Sequence, residues 1–178
     1  MLVLIGKSGS GKTTIEDIMI HRYNMVRAIS HTTRPKREND VEGVNYFFVS
    51  NEEMQRMYEQ GELAERIDYI GNVYALCKEQ CKTDKVVVVA PEGLKQLLEK
   101  DDLDVFSVYL DVTMCVRKSR MLARGDSDED VEKRIKNDDA IFDGTESKVN
   151  LVLENNGDNV DEISEIVWKE YNRYMEES

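Results

Sequence analysis

Gly6-Lys7-Ser8-Gly9-Ser10-Gly11-Lys12-Thr13 is the stretch on which the rest of the chain is organised. It fits the pattern Gly-x-x-x-x-Gly-Lys-[Ser/Thr], and its flanks suit it. Leu2-Val3-Leu4-Ile5 before it is a short apolar run that reads as a buried strand. Thr14-Ile15-Glu16-Asp17-Ile18-Met19-Ile20 after it has apolar residues at helical spacing. Strand, glycine loop and helix is the setting this motif requires. The glycines let successive backbone N–H groups turn inward around an anion, and the helix start adds unpaired N–H groups and a positive dipole end. Lys12 can bring a point charge to the outer phosphates and Thr13 a hydroxyl to Mg²⁺. The stretch therefore predicts a bound nucleoside triphosphate.

Outward from the loop, apolar runs and helical patterns alternate. Met25 to Ile29 reads as a second strand, Asn45 to Val49 as another, and Leu63 to Ile70 as a further strand or hairpin arm. Ser50-Asn51-Glu52-Glu53 is a capping box opening a helix that stops at Gly61. Tyr74 to Cys81 reads as a possible helix. Val86 to Val89 is a continuous β-branched run, the pattern of a parallel strand covered on both faces. Pro91 suits the first turn of a helix running to about Lys100. Val105 to Leu110 and Val149 to Leu153 read as strands; Thr113 to Ala123, Ser127 to Phe142 and Val160 to Met175 read as helices.

This alternation predicts an α/β fold, a parallel sheet of about five strands flanked by helices. Its ligands are expected at the carboxyl ends of the strands. The stretch between Arg34 and Cys81, richer in short strands and aromatics, reads as an inserted subdomain. The expected division is a core of residues 1–30, 83–118 and 136–178, an inserted subdomain of about 31–82, and a further segment of about 119–135; the basic clusters described below make these an NMP-binding subdomain and a lid.

Composition sets limits. The chain has 178 residues, 40 % apolar and 34 % charged, enough for one domain with a real core. No apolar run approaches the ~20 residues of a membrane span, and the first residues lead straight into a strand, so a cytoplasmic location is expected. Three cysteines fit reduced thiols. Cys77 and Cys81, four apart, read as ordinary half-buried thiols rather than metal ligands, and His21 and His31 as loop or surface residues. The net charge of −12 opposes a broad nucleic-acid-binding face. The acidic run Asp126 to Glu132 reads as solvated helix ends and faces.

Against that acidity, the cations group. They stand at Lys7 and Lys12, at Arg34-Pro35-Lys36-Arg37, and at Arg117 to Arg124 with Lys133-Arg134. Phosphoryl transfer between two nucleotides asks for three anion sites: donor phosphates, acceptor phosphate and transferring group. Arg34, Arg37 and the Tyr46 hydroxyl suit the acceptor, because guanidinium pairs bidentately with phosphate. Arg120 and Arg124 share a helix face, and with Arg134 beyond the Gly125 turn they suit a closing lid.

These residues resemble the guanylate kinase family. Ser30-His31-Thr32-Thr33-Arg34-Pro35-Lys36-Arg37, with Glu42-Gly43-Val44-Asn45-Tyr46, is similar to the family's S-x-T-T-R-x-x-R … G-x-D/N-Y stretch. Glu65 before Gly71-Asn72-Val73-Tyr74, Arg120 to Gly125 with the later Arg134, and Asn155 after the last strand also match. The resemblance implies an enzyme that passes the γ-phosphoryl of Mg-ATP to GMP or dGMP. It implies that Arg34, Arg37, Tyr46 and Tyr74 hold the GMP phosphate and that Ser30 and Glu65 read guanine. It implies further that Arg120, Arg124 and Arg134 act with Lys12 in catalysis, that Asn155 lies near adenine, that Gly6 to Thr14 hold the ATP phosphates, and that Thr13 meets the metal. The implied partners are small nucleotides, with neither nucleic acid nor membrane, and a monomer or homodimer is expected.

The chain departs from the family pattern in three places. The third core strand ends Val88-Val89-Ala90-Pro91-Glu92 without the family's aspartates, so Glu92 or Asp111 is a candidate replacement. Ala75-Leu76 follow Tyr74 where the family has small and hydroxyl residues. The proline between the acceptor arginines is shifted, but their spacing survives. Two alternatives stay open: a related binding module without catalysis, and a kinase of the same build for another monophosphate.

Overall fold

In the computed structural model, residues 1–69, 71–157 and 159–177 are described. Five strands form a parallel sheet: β1 (Leu2–Ile5), β2 (Val26–Arg27), β7 (Lys85–Val88), β8 (Phe106–Asp111) and β9 (Leu151–Glu154). The parallel sheet of five strands is the one the strand–helix alternation predicted, and the structure gives its order as β2-β7-β1-β8-β9. The central β1 is apolar at every position because both of its faces are covered. Leu2 and Leu4 point to one face, against Ile15 and Met19 of α1 (Lys12–Tyr23) and Ile163, Val167 and Tyr171 of α6 (Val160–Glu177). Val3 and Ile5 point to the other, against Leu94 and Leu97 of α3 (Pro91–Leu98). All four β1 side chains are fully buried, each contributing roughly 1.5–3 kcal/mol.

Four further strands make a second sheet: β3 (His31–Thr32), β4 (Phe47–Phe48), β5 (Leu63–Tyr69) and β6 (Asn72–Cys77), in the order β4-β3-β6-β5. Two expectations are corrected here. Residues 74–81 are not a helix: β6 pairs antiparallel with both β3 and β5, and only Lys78–Gln80 turn as a short 3₁₀ segment. A short apolar run has no decisive period, and two waiting strands settle it. Cys77 and Cys81 therefore share no helix face, although Cys81 Sγ reaches the Cys77 carbonyl at 3.6 Å. His31 is not at the surface: it is 9 % exposed in β3, with Nδ1 3.3 Å from Cys77 Sγ. Ile70, read as the end of the β5 strand, lies outside the described residues.

The second sheet is fastened to the core through α3. The Gln96 side-chain amide takes both backbone groups of Arg66 in β5, accepting from its N–H at 2.9 Å and donating to its carbonyl at 2.9 Å. Between β4 and β5 stands α2 (Asn51–Glu59), whose Ser50 Oγ accepts from the Glu53 N–H at 3.1 Å. Ser50→Ala is expected to cost about 1 kcal/mol, read as a lower urea midpoint at unchanged slope. The remaining helices are α4 (Met114–Ala123) and α5 (Asp128–Ile141), joined through a Gly125 turn and packed on each other.

Candidate functional site

The loop between β1 and α1 needs its glycines. Gly9 and Gly11 have φ of +78° and +90°, in the left-handed region. A Cβ on Gly9 would stand 2.8 Å from the Arg117 carbonyl, and one on Gly11 2.7 Å from the Asn155 amide nitrogen. Gly9→Ala is expected to weaken ATP binding and lower stability together, because the loop must move off α4. Isothermal titration beside a melting curve reads both.

A cavity of about 520 Å³ opens over the loop, lined by Ser8, Gly9, Gly11, Lys12, Thr13, Thr14, Arg120, Arg124 and Arg134. The three arginines drawn from two separate helical segments of sequence thus meet the phosphate loop. Lys12 Nζ is curled onto the loop, donating to the Gly6 carbonyl at 2.6 Å and the Lys7 carbonyl at 3.0 Å. Burial lowers its pKa to about 8; Asp138 pulls it up, and Arg124 and Arg117 push it down. The charged form is the one that attracts phosphate, so ATP affinity is expected to fall as pH rises through about 8. A binding profile flat well above that value would remove Lys12 from the site.

Asn155 is buried against the loop, its Nδ2 donating to the Ser10 carbonyl at 2.9 Å, so it braces the glycine loop. Arg120 Nη2 donates to the Gly157 carbonyl at 3.0 Å, and its Nη1 is buried without a hydrogen-bond partner. Arg124 is held by Asp126, Nε to Oδ2 at 3.0 Å. Lys7 Nζ pairs with Asp139 Oδ1 at 2.9 Å.

A second cavity of about 440 Å³ lies beside the first, lined by Thr13, Glu16, Arg27, Arg34, Arg37, Asp40, Val44, Asn45, Tyr46 and Tyr74. Arg34 stacks over the Tyr46 and Phe48 rings, 5.6 and 5.5 Å from their centroids, and Tyr46 meets Tyr74 edge-on at 5.6 Å. This aromatic floor holds the guanidinium upright. Asp40, which the sequence did not single out, pairs with Arg34 at 2.9 Å and accepts from the Arg37 N–H at 2.7 Å. That N–H and the Arg34 guanidinium keep its carboxyl below the usual range. An arriving phosphate would compete with Asp40 for Arg34. Thr13 lines both cavities.

Glu65 stands apart, on β5, where a register shift between Leu63 and Glu65 re-aims the strand. It is 6 % exposed, and its Oε2 is buried without a partner. It faces Gly93 of α3, where even a Cβ would stand 3.2 Å from Oε2. Burial raises its pKa to about 7, against one backbone hydrogen bond from Leu76. Ser30 gives its backbone carbonyl to the Phe47 N–H at 3.0 Å, which places it at the head of β3.

Besides Asp40, the sequence reading assigned no role to four charged residues that the structure pairs. Glu16 and Arg27 pair at 3.1 Å in the second cavity, where burial raises the Glu16 pKa. Arg117 and Asp138 pair at 3.2 Å under the first, and Arg117 is only 2 % exposed. Neither candidate strand-end replacement joins the loop. Glu92 lines another hollow with Leu94 and Leu98, and Asp111 is exposed at the end of β8. No cluster of three or more His, Cys, Asp or Glu suited to a metal ion exists among the described residues. Nor, among them, is any helix long and apolar enough to cross a membrane.

The sequence profile described as Guanylate kinase matches residues 1–172. A guanylate kinase of Agrobacterium fabrum is 34 % identical over 141 residues, 75 % of this chain and 64 % of that protein. The chain thus spans just under two thirds of that relative's length. One of Trichodesmium erythraeum is 30 % identical over 180 residues, 94 % of this chain and 95 % of that protein. Among solved structures, guanylate kinase from Anaplasma phagocytophilum superposes with a TM-score of 0.68 at 23 % identity, covering 96 % of this chain and 85 % of that one.

Proposed function

The chain belongs to the guanylate kinase family, and from that premise we propose that it transfers the γ-phosphoryl of ATP to GMP or dGMP, releasing ADP and GDP or dGDP. The observation that carries the reading is the meeting of two anion-ready cavities at Thr13, one with the glycine loop and three arginines, the other with Arg34 and Arg37.

ATP takes the first cavity, its phosphates on the first-turn N–H groups of α1 and on Lys12. GMP takes the second, its phosphate on Arg34 and Arg37 beside the Tyr46 and Tyr74 hydroxyls. Glu65 of β5 and Ser30 at the head of β3, both at the second sheet, read guanine. Arg120, Arg124 and Arg134 surround the transferring group and neutralise its charge. In domain terms, about 31–82 bind the acceptor, about 119–135 form the lid, and the rest is core.

The cradle suits phosphates, since Gly9 and Gly11 hold the left-handed backbone that lets loop N–H groups turn inward, with Lys12 and three arginines lining the same cavity. The Thr13 hydroxyl suits Mg²⁺, which when bound neutralises phosphate charge. Within the acceptor cavity the buried carboxylate is Glu16. The reaction needs only small nucleotides and fits a cytoplasmic enzyme.

A coupled assay of ADP release against a panel of (d)NMPs tests this. Turnover is expected with GMP and dGMP and much less with AMP. No ADP with any monophosphate, despite ATP binding, would refute the enzyme; turnover with a pyrimidine monophosphate but not GMP would refute the acceptor.

A further inference from the structure

Behind the donor cavity lies a charged junction that the catalytic assignments leave unused. Asp138 of α5 is 8 % exposed. Its Oδ2 accepts from the backbone N–H of Ser8, in the phosphate loop, at 2.6 Å, and from Arg117 Nη1 of α4 at 3.2 Å. Next to it, Asp139 Oδ1 accepts from Lys7 Nζ of the loop at 2.9 Å and lies 3.7 Å from Arg117 Nη2. Gly9 lies so close to the Arg117 backbone that no side chain fits between them. Three separate segments, the loop, α4 and α5, are thus joined at one buried carboxylate.

A buried ion pair by itself is weak evidence for anything beyond packing. Two further facts distinguish this one. Ser8, whose N–H it holds, lines the donor cavity, and Arg134, which lines the same cavity, stands four residues before Asp138 on α5. Residues four apart share a helix face. An α5 docked by Asp138 therefore points Arg134 at the loop, and an α5 released from it does not. Arg134 is itself exposed, so its direction follows that of α5.

We propose that Asp138 is a positioning residue for phosphoryl transfer, seating α5 on the Ser8 amide and Arg117 so that Arg134 faces the donor phosphates. This rests on the kinase reading above. The proposal gives a geometric role to an ion pair otherwise assigned to stability alone. It also ties the shape of the phosphate loop to the seating of the lid.

Removing one partner of the pair strands a buried charge, so the test centres on the double variant Arg117→Leu/Asp138→Ala, which removes both. It is expected to melt close to the wild type. Its kcat/KM for ATP should fall about tenfold or more, since displacements of an ångström cost that much or greater, while KM for GMP stays within about twofold. The isosteric Asp138→Asn adds a pH readout. The charges facing Lys12 are Asp138 from α5, Arg117 from α4 and Arg124 at its end. Asp138 is the one that favours the charged lysine, so its neutralisation should move the alkaline limb for ATP to lower pH. The double variant, which removes opposing charges together, should leave that limb near its wild-type place. If Asp138→Asn does not fold, the double variant decides alone. A folded double variant with wild-type kcat and KM for both substrates would overturn the positioning role. A wild-type protein without turnover would instead overturn the kinase reading, so the two failures are distinct.

Discussion

Lys12→Ala is expected to bring turnover down to about a hundredth of wild type or less, the scale of losing one aligned charge at a phosphoryl or oxyanion site. Two effects add. Among the described residues the ammonium is the one lysine charge lining the donor cavity, and it stands on the loop helix itself, whereas Arg120, Arg124 and Arg134 come from α4, its end and α5. It also ties the loop to itself through the Gly6 and Lys7 carbonyls, so its loss loosens the cradle. The fold should survive, because burial opposes the charge and lowers its pKa to about 8. A melting curve alongside the ADP-release assay separates the two. Wild-type turnover in a folded Lys12→Ala protein would mean that the loop is not the donor site.

Glu65→Gln should act on the other substrate. Guanine presents adjacent N1–H and N2–H donors, and one carboxylate can accept both. A glutamine offers one acceptor and turns a donor toward a donor. With a buried unpaired group costing roughly 1–3 kcal/mol, kcat/KM for GMP should drop about 10- to 100-fold, mostly through KM. The preference over AMP should shrink as well. Unchanged GMP selectivity in Glu65→Gln would remove Glu65 from base recognition.

The same residue gives a pH signature. Its pKa stands at about 7 against an ordinary 4.5, raised by burial. Between those values the folded protein holds a proton that the unfolded chain has released. Its contribution to stability is therefore complete below pH 4.5 and is lost as pH rises to 7. Guanine recognition runs the opposite way, because only the carboxylate accepts both donors. KM for GMP should therefore rise as pH falls below 7, and in Glu65→Gln that dependence should disappear.

Much of this was legible in the sequence for definite reasons. The loop and β1 announce themselves because an all-apolar run beside a glycine cradle has few other uses, and β7 by its unbroken run of valines. The cavity arginines were legible by company: Arg34 and Arg37 flank Pro35, and Arg120 and Arg124 share a face. Arg117 belongs to the same basic run and looks no different there. Its burial is decided by Asp138, 21 residues on, within a helix whose acidity reads as solvated. Residues 74–81 failed for another reason. Their local pattern suits a helix or a strand, and the choice is made by β3 and β5, whose approach no local pattern encodes. Glu65 was found by its motif, but its isolation from water depends on the strand bulge and on Gly93 across the groove.

The Gln96 clamp on β5 has a consequence for solution behaviour. β5 is an outer strand of its sheet, seven residues long, and such a border offers bare N–H and C=O groups to any passing extended chain. At Arg66, near its middle, the Gln96 amide already satisfies both of those groups. A second copy trying to add its own strand there would have to expel a side chain anchored in α3. The glutamine that fastens the second sheet thus also closes the middle of that border to strand addition.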